Sequence, residues 1–153
     1  MVQIIGIDIG DVAVQKGTEY ENDTGQYMVE FMDDFLESIK ILSESNNILY
    51  FISYCGNRRE KQIRDFFQRT KKILDYIPEE RWIFVRDKMD KAPICIQHKI
   101  TVMIDDNIEI CTDVFKRSPT TRHVILFTEK TVNIKNIKRL CEWKSVVNYI
   151  INL

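Results

Sequence analysis

Ile4-Ile5-Gly6-Ile7-Asp8-Ile9-Gly10-Asp11-Val12 begins as an apolar run and ends in a carboxylate followed by a glycine turn. An apolar strand that stops at an aspartate, in a protein of alternating strands and helices, places that aspartate at the sheet edge where ligands bind. The pattern returns in Ile100-Thr101-Val102-Met103-Ile104-Asp105-Asp106-Asn107. It occurs with a hydroxyl at its end in Ile48-Leu49-Tyr50-Phe51-Ile52-Ser53. Three apolar strands, each closed by a polar residue, point to one site assembled from three strand tips.

Outward from these strands, the periodicity supplies the remaining elements. Residues 2–9 read as a buried strand, and 11–27, with Gly17, Asn22, Asp23 and Gly25, as a loop or small hairpin. Met28, Phe31, Met32, Phe35, Leu36, Ile39 and Leu42 follow helical spacing. A strand over 48–53 precedes a helix from Asn57, its expected N-cap, to about Leu74. Ile63, Phe66, Phe67, Thr70 and Leu74 form the inner face of that helix. Trp82 to Val85 is a short strand, and Lys91 to His98 a short helix that tolerates Pro93 in its first turn. A strand over 100–104, a helix from Asn107 to Phe115, a strand from His123 to Phe127 and a helix from Asn136 to Ile150 complete the chain. Alternation of this kind, with near-continuous apolar strands, predicts a parallel sheet covered by helices on both faces.

The composition sets outer limits. The 153 residues suffice for one domain with a proper core. A net charge of -1 gives no global pull toward nucleic acid or membrane. The apolar run from Val2 to Ile9 is shorter than a signal peptide core or a membrane span, so a cytoplasmic protein without a membrane partner is expected. Cys55, Cys95, Cys111 and Cys141 lack CxxC spacing and lie in or beside apolar segments, which reads as reduced core or near-core thiols. Neither GxxxxGK[ST] nor GxGxxG occurs, which argues against a P-loop kinase or a dinucleotide enzyme.

In a parallel sheet, Asp8, Ser53 and Asp105 share the carboxyl edge. Carboxylates gathered at one point repel each other, and a hard divalent cation relieves the repulsion. Magnesium takes one or two carboxylates and completes its shell with water or phosphate oxygens. Lys91, fourteen residues before Asp105 and at the start of the preceding helix, adds positive charge to the same cluster. A nucleophilic aspartate, a hydroxyl, a lysine and a carboxylate pair suit phosphoryl transfer.

With these residues in view, the chain resembles the haloacid dehalogenase superfamily of phosphohydrolases. The four motifs of that family are matched in order by Ile7-Asp8-Ile9-Gly10-Asp11-Val12, Phe51-Ile52-Ser53, Lys91 and Ile104-Asp105-Asp106-Asn107. The resemblance implies a three-layer α/β/α sandwich with a mainly parallel, Rossmann-like sheet. It implies Asp8 as the nucleophile that forms an aspartyl-phosphate, and Ser53 and Lys91 as residues that orient the phosphoryl group. It further implies Mg2+ held by Asp8, Asp105, Asp106 and the carbonyl of Gly10. Lys88 competes with Lys91 for the lysine role; Lys91 is preferred because it opens the helix that leads into the Asp105 strand.

The sequence departs from the family in one respect. Phosphatases of this group carry a second aspartate two residues after the nucleophile as general acid/base. That position is Gly10 here, and the aspartate comes one place later, at Asp11. General acid/base help contributes about 10²–10⁴-fold. Two functions therefore stand side by side: a magnesium-dependent phosphohydrolase that is slow or relies on Asp11, and a catalytically degenerate member that binds a phosphorylated or nucleic-acid partner.

The spacing also bears on the surroundings of the site. Only 44 residues separate Asp8 from Ser53, and 37 separate Ser53 from Lys91. Neither interval holds a folded cap, so residues 1–153 are expected to form a single capless domain. Its site would be open, or closed by the 13–27 loop or by a second subunit in a homo-oligomer. Open sites suit bulky phosphorylated substrates, a fold-level analogy.

Simpler explanations compete at several positions. Arg58, Arg59, Lys61, Arg64, Arg69, Lys71 and Lys72 on the 58–72 helix form an ordinary solvated face or a track for nucleic acid. Cys55 follows a strand and precedes a helix, as a cysteine-phosphatase nucleophile would. The arginine due six places later is Lys61, which argues against that chemistry. His98 and His123 have no metal spacing with any cysteine, and Trp82 and Trp143 read as core residues.

Overall fold

The computed structural model describes residues 2–15 and 29–153. The sheet has six strands: β1 (Ile4–Ile7), β2 (Ile48–Tyr54), β3 (Trp82–Val85), β4 (Val102–Asp105), β5 (His123–Phe127) and β6 (Ile137–Leu140). All neighbours pair in parallel, in the order β3-β2-β1-β4-β5-β6. The chain reverses its direction of build between β1 and β4. In open α/β sheets, ligands bind at the carboxyl end of such a switch point.

Two apolar clusters flank the sheet and make three layers. On one face, Ile5, Ile7, Leu49, Phe51, Ile104 and Ile125 pack against α1 (Phe35–Glu44), α2 (Asn57–Arg69), α3 (Lys71–Tyr76) and α6 (Trp143–Ile151). On the other, Ile52, Met103, Val124 and Leu126 pack against α4 (Lys91–Gln97) and α5 (Ile108–Arg117). Alternate strand residues serve opposite faces, as the period-2 geometry requires. Gly6 faces the second cluster, where a Cβ would sit 2.8 Å from Met103 Sδ and 2.9 Å from Ile52 Cδ1. The residue is glycine because the partner layer approaches so closely there. None of the helices among the described residues is long and apolar enough to cross a membrane.

Three elements differ from the sequence expectations. The helix expected from Met28 starts at Phe35. Ahead of it, Phe31 bridges Val14, Gln15 N donates to Glu30 O and Met32 N donates to Ala13 O, each at 2.8 Å for the two hydrogen bonds. Asp34, at φ 64, is left-handed and marks the start. The apolar spacing of Phe31 and Met32 thus serves an extended segment. Met28 and residues 16–27 of the expected loop lie outside the described residues.

The helix expected over 57–74 is two helices. Thr70 breaks it, its Oγ1 donating to Phe66 O at 3.0 Å in competition with the helical ladder. The break rotates the second part, so that Ile73 is buried and Leu74 is exposed. Gly56, not Asn57, is the N-cap of α2; Asn57 Oδ1 accepts from Arg86 Nε at 2.9 Å.

The helix expected from Asn136 is β6 followed by α6. Ile137, Leu140 and Cys141 mimic helical spacing, yet residues 137–140 pair with 124–127. Asn136 is left-handed at φ 69, and Glu142 is extended and caps α6. Cys141 is correspondingly exposed rather than near-core, while Cys55, Cys95 and Cys111 are buried free thiols. Trp82 and Trp143 are both buried.

Candidate active site

The site lies where β1 and β4 end side by side. Asp8 follows β1, and its N–H donates to Ile104 O at 2.9 Å, which locks the two strand tips in register. The chain then turns tightly: Ala13 N and Val14 N donate to Ile9 O at 2.9 and 3.0 Å. Asp11 takes the left-handed conformation at φ 60, which aspartate tolerates better than most residues. Trp143 Nε1 donates to Val12 O at 2.7 Å, so the first turn of α6 pins this loop from below.

Lys91 reaches this edge from the start of α4. Its Nζ donates to Asp8 Oδ1 at 2.9 Å and to Asp105 Oδ2 at 2.7 Å. All three side chains are removed from water, with Lys91 1% and Asp105 0% exposed. A charge so deeply buried survives only when paired and hydrogen-bonded. Burial pulls the Lys91 ammonium down, but the Asp8 and Asp105 carboxylates outweigh it and hold its pKa above the usual lysine range. Burial, then the neighbouring Asp8 charge, push the Asp105 carboxyl up to about 6, against the pull of Lys91. Asp105 Oδ1 also accepts from Asn107 N at 3.0 Å, and Asn107 Oδ1 caps α5 by accepting from Ile110 N at 3.0 Å.

Asp8, Gly10, Ser53, Lys91, Asp105 and Asp106 line one cavity of about 220 Å³. Five of these side chains, with the Gly10 backbone, are the residues that the sequence singled out. Asp11 is not among them; it lines an adjoining cavity of about 490 Å³, with Met32, Phe127, Thr128 and Lys130. Asp106 lines both cavities and is their common wall. Lys88 lies apart and pairs with Glu109 at 2.5 Å. Cys55 is buried, and that burial raises its thiol pKa, the opposite of what a nucleophilic thiolate needs.

Arg59 and Tyr54 also line the 220 Å³ cavity. Sequence reading placed Arg59 only within a basic helix. The signal was its position, six residues after Ser53 in the first turn of the helix that leaves the same strand tip.

The donor set fits a hard cation. Carboxylate oxygens of Asp8, Asp105 and Asp106 lie within 4.8 Å of one another. Oxygen ligands of this charge and spacing suit Mg2+, which keeps its remaining positions for water or phosphate.

No protein-family model matches the sequence, and no curated protein matches it. Solved structures do match. A HAD-superfamily hydrolase from Ehrlichia chaffeensis superposes with a TM-score of 0.69 at 12% identity, covering 100% of this chain and 98% of that one. The fold is haloacid dehalogenase-like. A D,D-heptose 1,7-bisphosphate phosphatase from Burkholderia thailandensis aligns over 99% of each chain, with a TM-score of 0.68 at 9% identity. The corresponding enzyme from B. bronchiseptica, complexed with magnesium and phosphate, aligns over 98% of each with a TM-score of 0.70 at 8% identity. The described sheet and helices therefore share the fold of these proteins.

Proposed function

We propose that the protein is a magnesium-dependent phosphohydrolase acting through an aspartyl-phosphate on Asp8, built as one capless domain. The observation that carries this reading is the buried Asp8–Lys91–Asp105 ion triad at the switch point of the sheet. Such a triad is costly to bury and has no need to open onto a cavity if its role is packing alone. Asp8, Asp105, Asp106 and the Gly10 carbonyl would hold Mg2+, which when bound supplies charge to offset the phosphoryl oxygens.

The chain's own residues divide the work. Asp8 attacks phosphorus, and its new O–P bond forms as the ester P–O bond breaks. Ser53 and Lys91 donate hydrogen bonds to the non-bridging oxygens and hold phosphorus in line. The leaving oxygen takes its proton from Asp11 or from water, since Gly10 has no side chain to give one. Water then attacks phosphorus, the Asp8 O–P bond breaks, and inorganic phosphate leaves with the Asp8 carboxylate restored. Two of the structural neighbours are D,D-heptose 1,7-bisphosphate phosphatases; the substrate proposed for this chain is a phosphomonoester.

A second reading is favoured by one observation, Gly10 in the place of the acid with Asp11 turned into the next cavity. In it the same cavity binds a phosphorylated partner without turnover, and the exposed Arg58, Lys61, Lys71 and Lys72 extend the contact. Acid-quenched peptide mapping after exposure to an aryl phosphate separates the two. A phosphoryl adduct on the peptide that contains Asp8, absent in Asp8→Asn, supports the hydrolase. Phosphate binding without any adduct or product supports the binder.

A further inference from the structure

We infer that Arg59 is a phosphoryl-binding residue of this site, a role that rests on the phosphohydrolase or phosphate-binding reading above. Arg59 sits in the first turn of α2 and lines the 220 Å³ cavity together with Asp8, Ser53 and Lys91. It is half-buried there, unlike its neighbour Arg58, which is exposed. Its charge is close enough to the strand tip to act on the Cys55 thiol, two residues after Ser53.

Charge balance makes the assignment specific. Asp8, Asp105 and Asp106 bring three negative charges to the cavity, against Lys91 and Arg59. A magnesium ion turns that balance to one positive charge, and a bound phosphate dianion returns it to one negative. Without Arg59 the loaded site would carry two uncompensated negative charges beside the buried Asp105, where such charge is expensive. Lys91 cannot supply the missing charge alone, because two carboxylates already share its ammonium. The guanidinium of Arg59 is a fork of donors of the kind that matches two phosphoryl oxygens, at a place on the cavity lining beside Ser53 and Lys91. Arg64 and Arg86, which both pair with Glu60, are not among the residues that line this cavity. Arginine is suited to this task by its planar, permanently charged head.

The test is calorimetric titration of inorganic phosphate into the parent, Arg59→Met and Arg59→Lys proteins, with magnesium present and circular dichroism confirming the fold. Loss of a charge-assisted contact lowers affinity by about 10- to 100-fold in Arg59→Met, with partial recovery in Arg59→Lys. Magnesium affinity, measured without phosphate, stays level or rises in Arg59→Met, because a repelling cation has gone; a general collapse of the site would weaken it. Phosphate binding equal in parent and Arg59→Met overturns the assignment of Arg59 and leaves the site reading intact. Absence of phosphate binding in the parent overturns both.

Discussion

At the scale of the residue, the molecule turns on Lys91. A lysine 1% exposed between two carboxylates is held by attraction on both sides, and its removal leaves the buried Asp8 and Asp105 facing each other without a counter-charge. Breaking a buried ion pair by removing one partner costs about 3–5 kcal/mol. Lys91→Met is expected to lose stability of that order in urea titration at pH 7, and a loss below about 1 kcal/mol would show the triad to be weakly coupled. Lys88→Met, whose partner Glu109 is largely exposed, is the matched control and should change stability little. The sequence could single out Lys91 because only that lysine opens α4. It could not reveal that the ammonium touches both aspartates, since strand-tip convergence is a tertiary fact.

At the scale of the element, the aspartate strands and the edge strand β3 were legible, and the other edge, β6, was not. β1, β2 and β4 are apolar on both faces, so their runs end abruptly at Asp8, Ser53 and Asp105, and the ends are visible in one dimension. β6 is an edge strand with one exposed and three half-buried residues, and its Ile137, Leu140 and Cys141 satisfy a helical period by chance. The extended 29–32 segment shares that ambiguity, because it borrows its partner from Val14 and Ala13, far back in the chain. Asn107 gives a check at this scale. It caps α5 through its side chain while its backbone N–H holds Asp105. Asn107→Ala is expected to cost about 1 kcal/mol in thermal or urea unfolding, with Asn107→Asp recovering most of it. An alanine variant as stable as the parent would mean that α5 needs no cap.

At the scale of the whole molecule, the site links folding to pH and, under the proposed function, to metal. The folded Asp105 pKa, pushed up to about 6, lies above the usual aspartate value of about 3.9. The folded protein therefore holds that proton more tightly than the unfolded chain. Its contribution to stability is complete below about pH 4 and is lost as pH rises through 6. Under the proposed function magnesium would bind the ionised carboxylates, and so would oppose that loss and compete with the proton. Scanning calorimetry should show a larger magnesium-induced rise in Tm at pH 7 than at pH 5, and equal increments at the two values would contradict the linkage. The decisive measurement is aryl phosphate hydrolysis with and without magnesium by the parent, Asp8→Asn and Gly10→Asp proteins. The phosphohydrolase reading predicts turnover by the parent that requires both magnesium and Asp8, and an increase of about 10²-fold or more when Gly10→Asp restores an acid. Turnover that survives in Asp8→Asn, or silence in both the parent and Gly10→Asp, would contradict it.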